Sequence, residues 1–140
     1  MAIQQTLTTS FKQQMLQAGQ NLATDTLKIA LYTAPASLGP DTTVYSTSNE
    51  VVGTGYTAGG ETLTGVVITA NANGTVYVTF DNAVWPASSF TARGALLYNS
   101  TQANASVAVL DFGADKTCVN QTFTVTMPAN TVTTALLRFS

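Results

Sequence analysis

Seven acidic side chains are the groups in this sequence that could carry out acid–base chemistry. The chain contains no histidine, and this removes the commonest general base and metal ligand together with Ser-His-Asp and Cys-His mechanisms. A pair of carboxylates could still hydrolyse a glycosidic bond. The acids are scattered through turns and strand ends, however: Asp25, Asp41, Glu50, Glu61, Asp81, Asp111 and Asp115. The sequence therefore predicts a protein that is not an enzyme and has no catalytic residues.

The sequence also lacks a complete motif for a metal or cofactor site. Asp111-Phe112-Gly113 matches the metal-binding tripeptide of protein kinases, but the other kinase motifs are absent. Asp111 and Asp115 could share a calcium ion, yet an EF-hand loop needs more oxygen ligands at fixed spacing. Cys118 is the single cysteine, so it can form neither an intrachain disulfide nor a cysteine-based metal cage. We expect no metal and no cofactor.

A glycine-rich segment, residues 53–60, could be mistaken for a phosphate-binding loop. It lacks the Gly-Lys-Ser/Thr ending, and no helix pattern follows it. A mobile or bulged surface loop is the better interpretation. This loop is either a contact element for a partner or an ordinary turn.

Aromatic side chains offer one further binding chemistry, because their faces stack on carbohydrate rings. Trp85 and the tyrosines could line such a site, but aromatic rings of this size more often complete a core. Both interpretations remain open from the sequence. The tyrosines are Tyr32, Tyr45, Tyr56, Tyr77 and Tyr98.

Composition bounds the class of protein that must position these residues. The chain has 140 residues, of which 45% are hydrophobic, enough for a single domain over residues 1–140. Only 9% are charged, against about 25% in an average protein, so the polar surface must be neutral and rich in threonine. A net charge of −2 without a basic run argues against nucleic-acid partners. No segment has the pattern of a signal peptide or a membrane span.

The N-terminal region predicts one helix. Ser10-Phe11-Lys12-Gln13 matches a capping box, the apolar residues that follow lie near one helical face, and Gly19 is placed to end the helix. We expect a helix over residues 10–18. Residues 1–9 are polar and irregular, and they form either a flexible arm or an extension that docks on a neighbouring subunit.

From residue 26 onward the apolar period changes to two, which is typical of strands. Asn73-Gly74 separates two β-branched runs and predicts a type I′ hairpin turn. Eight or so short strands with frequent turn signals indicate an antiparallel β-sandwich or jelly roll. The predicted strands are Leu27–Tyr32, one or two short ones around Val44–Tyr45 and Val51–Val52, then Val66–Ile68, Val76–Phe80, Ala95–Tyr98, Val107–Leu110, Thr122–Met127 and Ala135–Phe139.

Several runs along almost the whole chain resemble a family of small virion proteins encoded by tailed bacteriophages. The runs are Ser10-Phe11-Lys12, Leu27-Lys28-Ile29-Ala30-Leu31-Tyr32, the segment from Glu50 through Gly60, the segment from Phe90 through Ser100, and the segment from Val109 through Lys116. The family is poorly defined in function, so the resemblance indicates a particle and not a mechanism.

The resemblance implies a virion structural protein, assembled in the cytoplasm of a bacterial host, that binds other virion subunits and forms homo-oligomers. A capsid decoration or cement protein is the leading hypothesis, and a tail adaptor or fibre component is the alternative within the particle. A carbohydrate-binding adhesin module is a hypothesis of a different class, with a host glycan as partner. We expect residues 1–9 and the loop 53–60 to be the contact elements, and we expect no nucleic acid or membrane partner.

Overall fold

The computed structural model describes residues 3–72, 74–131 and 133–139. Within them the chain forms one helix and eight strands, arranged as two antiparallel sheets around a shared apolar core. This confirms the predicted all-β sandwich with a short N-terminal helix. The elements are β1 (Thr6–Leu7), α1 (Thr9–Leu16), β2 (Leu27–Tyr32), β3 (Glu61–Thr62), β4 (Val67–Ala70), β5 (Val76–Thr79), β6 (Ala83–Asn99), β7 (Ala105–Val125) and β8 (Leu137–Phe139).

The larger sheet has the strand order β1-β7-β6-β2-β3, and the smaller sheet has the order β4-β5-β8. β6 and β7 form a long hairpin of 17 and 21 residues that carries four register shifts. The predicted strands at 95–98 and 107–110 are therefore the parts of β6 and β7 nearest to their connection, and the predicted strand at 122–127 overlaps the far end of β7. The sequence pattern stopped short because Pro86 and Gly113 interrupt it, whereas the structure accommodates both at register shifts.

Both faces of the larger sheet are covered by protein. Ile29 and Leu31 point into the core between the sheets, while Ala30 and Tyr32 pack in a second apolar cluster on the opposite face. The segment that follows β2 covers this second face and contributes Ala36, Leu38 and Tyr45. Two covered faces explain why the central strands are apolar at successive positions.

The helix begins one residue earlier than predicted and ends earlier. Its N-cap is Thr8, whose buried hydroxyl accepts a hydrogen bond from the Phe11 N–H at 3.3 Å, so the capping box at Ser10 is wrong. The left-handed residue after the helix is Ala18, with φ of 57°, and the Gly19 N–H donates to the Gln14 carbonyl at 2.7 Å. This is a Schellman-type ending with alanine where glycine is usual.

Residues 3–9 do not form a free arm. Ile3 is buried, the Gln4 N–H donates to the Leu38 carbonyl at 2.8 Å, and β1 pairs with β7 at Val109 and Ala108. The partner strand lies about a hundred residues away in sequence, so local patterns gave no sign of this pairing. The predicted arm is wrong for these residues, and residues 1 and 2 lie outside the described part of the chain.

The β4–β5 hairpin is confirmed, but its turn differs from the predicted one. Asn73 lies outside the described residues. The Gly74 N–H donates to the Asn71 carbonyl at 3.0 Å, and the Asn71 N–H donates to the Thr75 carbonyl at 2.8 Å. The ladder therefore closes at Asn71 and Thr75, whereas a two-residue type I′ turn would close it at Ala72 and Thr75, and Gly74 has a φ of 89°.

Two predicted short strands are absent from the segment between β2 and β3. Val44 forms only an isolated bridge to Ala105, and the Val51 N–H donates to the Leu31 carbonyl at 2.9 Å without a regular ladder. This segment crosses the face of the sheet as a loop, so single contacts replace strand pairing. Near the C-terminus, the predicted alternation holds: Phe123, Val125 and Met127 are buried, and the threonines between them are exposed.

Candidate functional site

One buried carboxylate, that of Glu50, lies among several hydrogen-bond donors. Glu50 is only 8% exposed, and its side chain accepts three hydrogen bonds. The donors are the Tyr45 hydroxyl at 2.7 Å, the Tyr56 hydroxyl at 2.5 Å and the Gly59 N–H at 2.8 Å. Because a buried charge is costly unless it is hydrogen-bonded, these donors explain how Glu50 can lie here without a bonded cation.

Two further tyrosines complete what we call the Glu50 cluster: Glu50 with Tyr32, Tyr45, Tyr56 and Tyr98. The Tyr32 hydroxyl, from β2, donates to the Ser46 carbonyl at 2.6 Å. The Tyr98 hydroxyl, from β6, donates to the Gly59 carbonyl at 2.7 Å. The rings of Tyr45 and Tyr98 are stacked, with centroids 4.6 Å apart. The cluster thus ties the loops after β2 to the central strands of the larger sheet.

The glycine-rich loop, Gly53–Gly60, is anchored on those strands at several points. The Tyr56 hydroxyl accepts the Leu31 N–H at 2.9 Å, and the Ser89 N–H donates to the Thr54 carbonyl at 3.0 Å. A Cβ at Gly60 would lie 1.8 Å from the Ile29 carbonyl oxygen, and Gly60 has φ of 77°. The predicted surface loop therefore exists, but its glycines serve close packing against the sheet.

Burial governs the acid–base properties of the cluster. Loss of solvent is the main cause that raises the pKa of Tyr98 to about 12, and the Glu50 charge adds to it. Burial likewise raises the pKa of Tyr32, Tyr45 and Tyr56 above the ordinary tyrosine value, again assisted by Glu50. These phenols therefore remain protonated donors near neutral pH. Such an arrangement can hold a loop in place, and it offers no poised general base.

In the sequence, Glu50 is one of seven scattered acids, and its spacing alone did not lead to the prediction of this cluster. A signal was available, since Tyr45 and Tyr56 lie five and six residues from Glu50. Local spacing could thus have suggested a carboxylate flanked by two phenols. The contributions of Tyr32 and Tyr98 depend on the pairing of β2 with β6 and required the fold.

A surface cleft of about 780 Å³ lies beside the cluster. It is open, polar and apolar groups line it in similar proportions, and Asp41 is the one acid among its lining residues. A second carboxylate for glycoside hydrolysis does not line it. The lining residues are Gln4, Tyr32, Pro35, Ser37, Leu38, Gly39, Pro40, Asp41, Thr42, Thr43, Val44, Ser46, Ser48 and Asn49.

Three of the other acids considered from the sequence have partners of their own. Asp115 pairs with Arg93 at 2.9 Å, and Asp111 accepts the Gly113 N–H at 2.9 Å, so the structure does not bring these two carboxylates to a shared site. Asp25 accepts bonds from Asn21 N–H and the buried Asn99, and the former chiefly lowers its pKa. Across the described residues, no three acidic or cysteine side chains converge on a point that could hold a metal ion.

Trp85 belongs to the core. It is 1% exposed, and its ring meets Phe123 edge to face at 6.0 Å. Its indole Nε1–H has no hydrogen-bond partner within the described part of the chain. The core interpretation of this residue is confirmed, and its ring is not available to stack on a sugar.

The outer surface exposes several large apolar side chains. Leu16 at the end of α1 and Val52 before the glycine-rich loop are each more than nine-tenths exposed. A group of three, Val67, Ile68 and Val76, lies on the β4–β5 hairpin. Val44, Val84 and Val119 complete the set. With few charges between them, these residues are the natural candidates for contact with another protein.

Comparison with known proteins adds no family to this description. No protein-family model, curated protein or solved structure matches the chain. None of the helical structure in the described residues combines the length and apolar character needed to cross a bilayer.

Proposed function

We propose that this chain is a structural subunit of a tailed-phage virion, a capsid decoration or cement protein that binds other virion subunits. The observation that carries the proposal is its surface, which exposes large apolar side chains and is only sparsely charged. A surface of this kind suits protein contacts. The polar groups of the Glu50 cluster, by contrast, are already hydrogen-bonded to other groups of the same chain.

The residues that resemble the phage family lie mainly in the central strands and the glycine-rich loop. They correspond to β2, to the segment from Glu50 through the glycine-rich loop, and to long parts of β6 and β7. Of these parts, the Glu50 cluster joins β2, β6 and the segment from Glu50 through the loop. If the resemblance reflects descent, the family shares this scaffold, and individual members differ in the surfaces that bind their neighbours.

Attachment to a symmetric particle would strengthen weak contacts by repetition. Many identical copies, each with a modest interface, give firm overall binding. A neutral interface also avoids the free-energy cost of burying unpaired charge. Since salt screens charges and leaves apolar contacts in place, such attachment should survive high ionic strength. The exposed valines and Leu16 fit this kind of contact.

A tail adaptor or fibre component would use the same surface properties and is the alternative within the particle. A carbohydrate-binding adhesin has less support. The ring that motivated it, Trp85, is buried and cannot stack on a sugar. A glycan array probed with the folded chain would test that role directly.

Quantitative mass spectrometry of purified virions tests the proposal. We expect the chain in copy numbers on the order of tens to hundreds per particle, because a decoration protein follows the symmetry of its shell. It should stay bound after a wash in about 1 M NaCl, where charges are screened within about 3 Å. A known charge-bound virion protein released by the same wash is the control. Absence of the chain from washed particles would refute the proposal, and cryo-EM of the particles would separate head from tail.

A further inference from the structure

The outer strands of the two sheets differ in how well they are protected from pairing with another chain. β1 and β3 are two residues long, and β3 carries Glu61. β8 carries Arg138. β4 has four residues, Val67–Ala70, without a charge, a proline or a break in its register. Proteins usually protect such edges with charges, prolines or bulges, and β4 has none of these.

The backbone of β4 presents open hydrogen-bonding groups at that edge. The Asn71 N–H donates to the Thr75 carbonyl, which fixes the phase of the antiparallel ladder. Bonding alternates along such a ladder, so Thr69 and Val67 face β5. The N–H and C=O groups of Ile68 and Ala70 therefore point away from β5. No other strand of the described residues lies on that side.

The side chains of this edge continue the apolar core outward. Val78 of β5 is buried, whereas its pairing partner Ile68 is 47% exposed. Val76, on the same face of the hairpin, is 37% exposed. The apolar face of the hairpin that is buried at Val78 thus continues at β4 into a part that no other residue fully covers. An added strand would cover these side chains and bind the free backbone groups together.

We propose that this edge binds a second copy of the chain, with β4 of one copy antiparallel to β4 of the other. Open backbone groups select an extended strand as the occupant. An antiparallel pair of identical strands is related by a two-fold axis and places like residues near one another. Because β4 carries no charge, this self-pairing meets no like-charge repulsion.

The outward groups also define the register. Pairing Ile68 of one copy with Ile68 of the other brings Ala70 opposite Val66 on both sides of the axis. This register uses every outward-facing residue from 66 to 70 and joins the two smaller sheets into one continuous sheet of six strands. The inference does not depend on the phage proposal, since it concerns the isolated protein.

Sedimentation of the purified full chain over a range of concentrations tests the proposal. We expect a reversible dimer whose dissociation constant rises at least about ten-fold in Ala70→Pro, which removes one outward N–H and leaves the β4–β5 ladder intact. Ala70→Val is the matched control, because it keeps the N–H and should dimerise like the native chain. A native chain that stays monomeric at millimolar concentration, or an Ala70→Pro variant that dimerises normally, overturns the proposal.

Hydrogen exchange gives a readout that does not need a variant to fold. The amides of Ile68 and Ala70 should become protected as the concentration of native chain rises. The Thr69 amide, bonded within the hairpin, should be protected at every concentration. Exchange at Ile68 and Ala70 that is independent of concentration while a dimer forms would place the interface elsewhere and overturn the proposal.

Discussion

The glycine-rich loop and the β4–β5 hairpin both depend on glycines with positive φ, but their surroundings are opposite. In the loop, a Cβ at Gly60 would collide with the Ile29 carbonyl, and the Gly59 N–H binds Glu50. In the hairpin, a Cβ at Gly74 would meet no atom within 4 Å, and none of the strands in the described residues lies beside the outer edge of β4. Where the fold satisfies its own groups, little remains for a partner. Where it does not, the groups are available for contact.

The largest expected difference between the two regions comes from adding one methyl group. Gly60→Ala should lower the free energy of unfolding by about 3 kcal/mol or more, because left-handed strain adds to a steric collision with the backbone of β2. Gly74→Ala should lower it by only about 1–2 kcal/mol, since strain acts there alone. Urea unfolding of both variants measures the contrast. Equal losses would show that the loop is not packed as described.

Removing the charge of Glu50 should have the next largest effect. In Glu50→Gln the amide NH₂ replaces one acceptor oxygen, so it faces a tyrosine hydroxyl or the Gly59 N–H as a second donor. We expect a loss of about 1–3 kcal/mol in unfolding free energy, the cost of leaving buried polar groups poorly paired.

Glu61→Gln on the exposed strand β3 is the matched control, with a change below about 0.5 kcal/mol. The two variants remove the same charge eleven residues apart. If both have the same small effect, the Glu50 cluster does not hold the loop.

Features that depend on neighbouring residues could be predicted from the sequence, and features that depend on distant contacts could not. The strand Leu27–Tyr32 and the hairpin around residues 71–75 were predictable, because both depend on alternation and turn residues that are local in the chain. Residues 3–9 were misjudged, since their partners lie near residues 38 and 108. Their polar composition is typical of a free arm, but part of this segment forms a strand that pairs with the distant β7.

The Glu50 cluster illustrates the same limit at the level of a site. Glu50, Tyr45 and Tyr56 lie close in sequence, but their meeting depends on a loop that doubles back onto β2. The glycines suggested freedom, because sequence alone does not show whether a glycine serves motion or close approach. Only the distance from a Cβ at Gly60 to the Ile29 carbonyl oxygen distinguishes the two.

Alkaline pH should lower the stability of the fold through the tyrosines of the Glu50 cluster, which hold the glycine-rich loop. The pKa of Tyr98 is raised to about 12, and those of Tyr45 and Tyr56 are raised as well. Unfolded tyrosines titrate near pH 10, about the ordinary value. Above that pH the folded state therefore holds more protons than the unfolded state, and stability falls as pH rises.

Thermal melts from pH 8 to pH 12, together with absorbance of the phenolate, measure this effect. The melting temperature should be steady below about pH 10 and then decline. Glu50→Gln should shift the tyrosine titration to lower pH, because the carboxylate charge is one cause of the raised pKa values of Tyr45 and Tyr56. An unchanged titration in this variant would contradict the assigned role of Glu50.

The smallest expected change in unfolding free energy comes from a substitution on the β4–β5 hairpin. Val67 is 48% exposed, on the face of β4 opposite Ile68, so Val67→Thr should change the unfolding free energy by less than about 0.5 kcal/mol. Val51, beside the loop, is 3% exposed, and Val51→Thr buries a hydroxyl at a cost of about 1–3 kcal/mol. Urea unfolding at low protein concentration compares the two.

Val67→Thr also separates side chain from backbone in the proposed dimer. The substitution keeps every outward N–H of β4, so it should weaken self-association less than Ala70→Pro does. If Val67→Thr abolishes the dimer while Ala70→Pro leaves it intact, side chains on the outer face of the hairpin make the contact. Backbone pairing at the β4 edge would then be excluded, because the group that it requires would have been removed without effect.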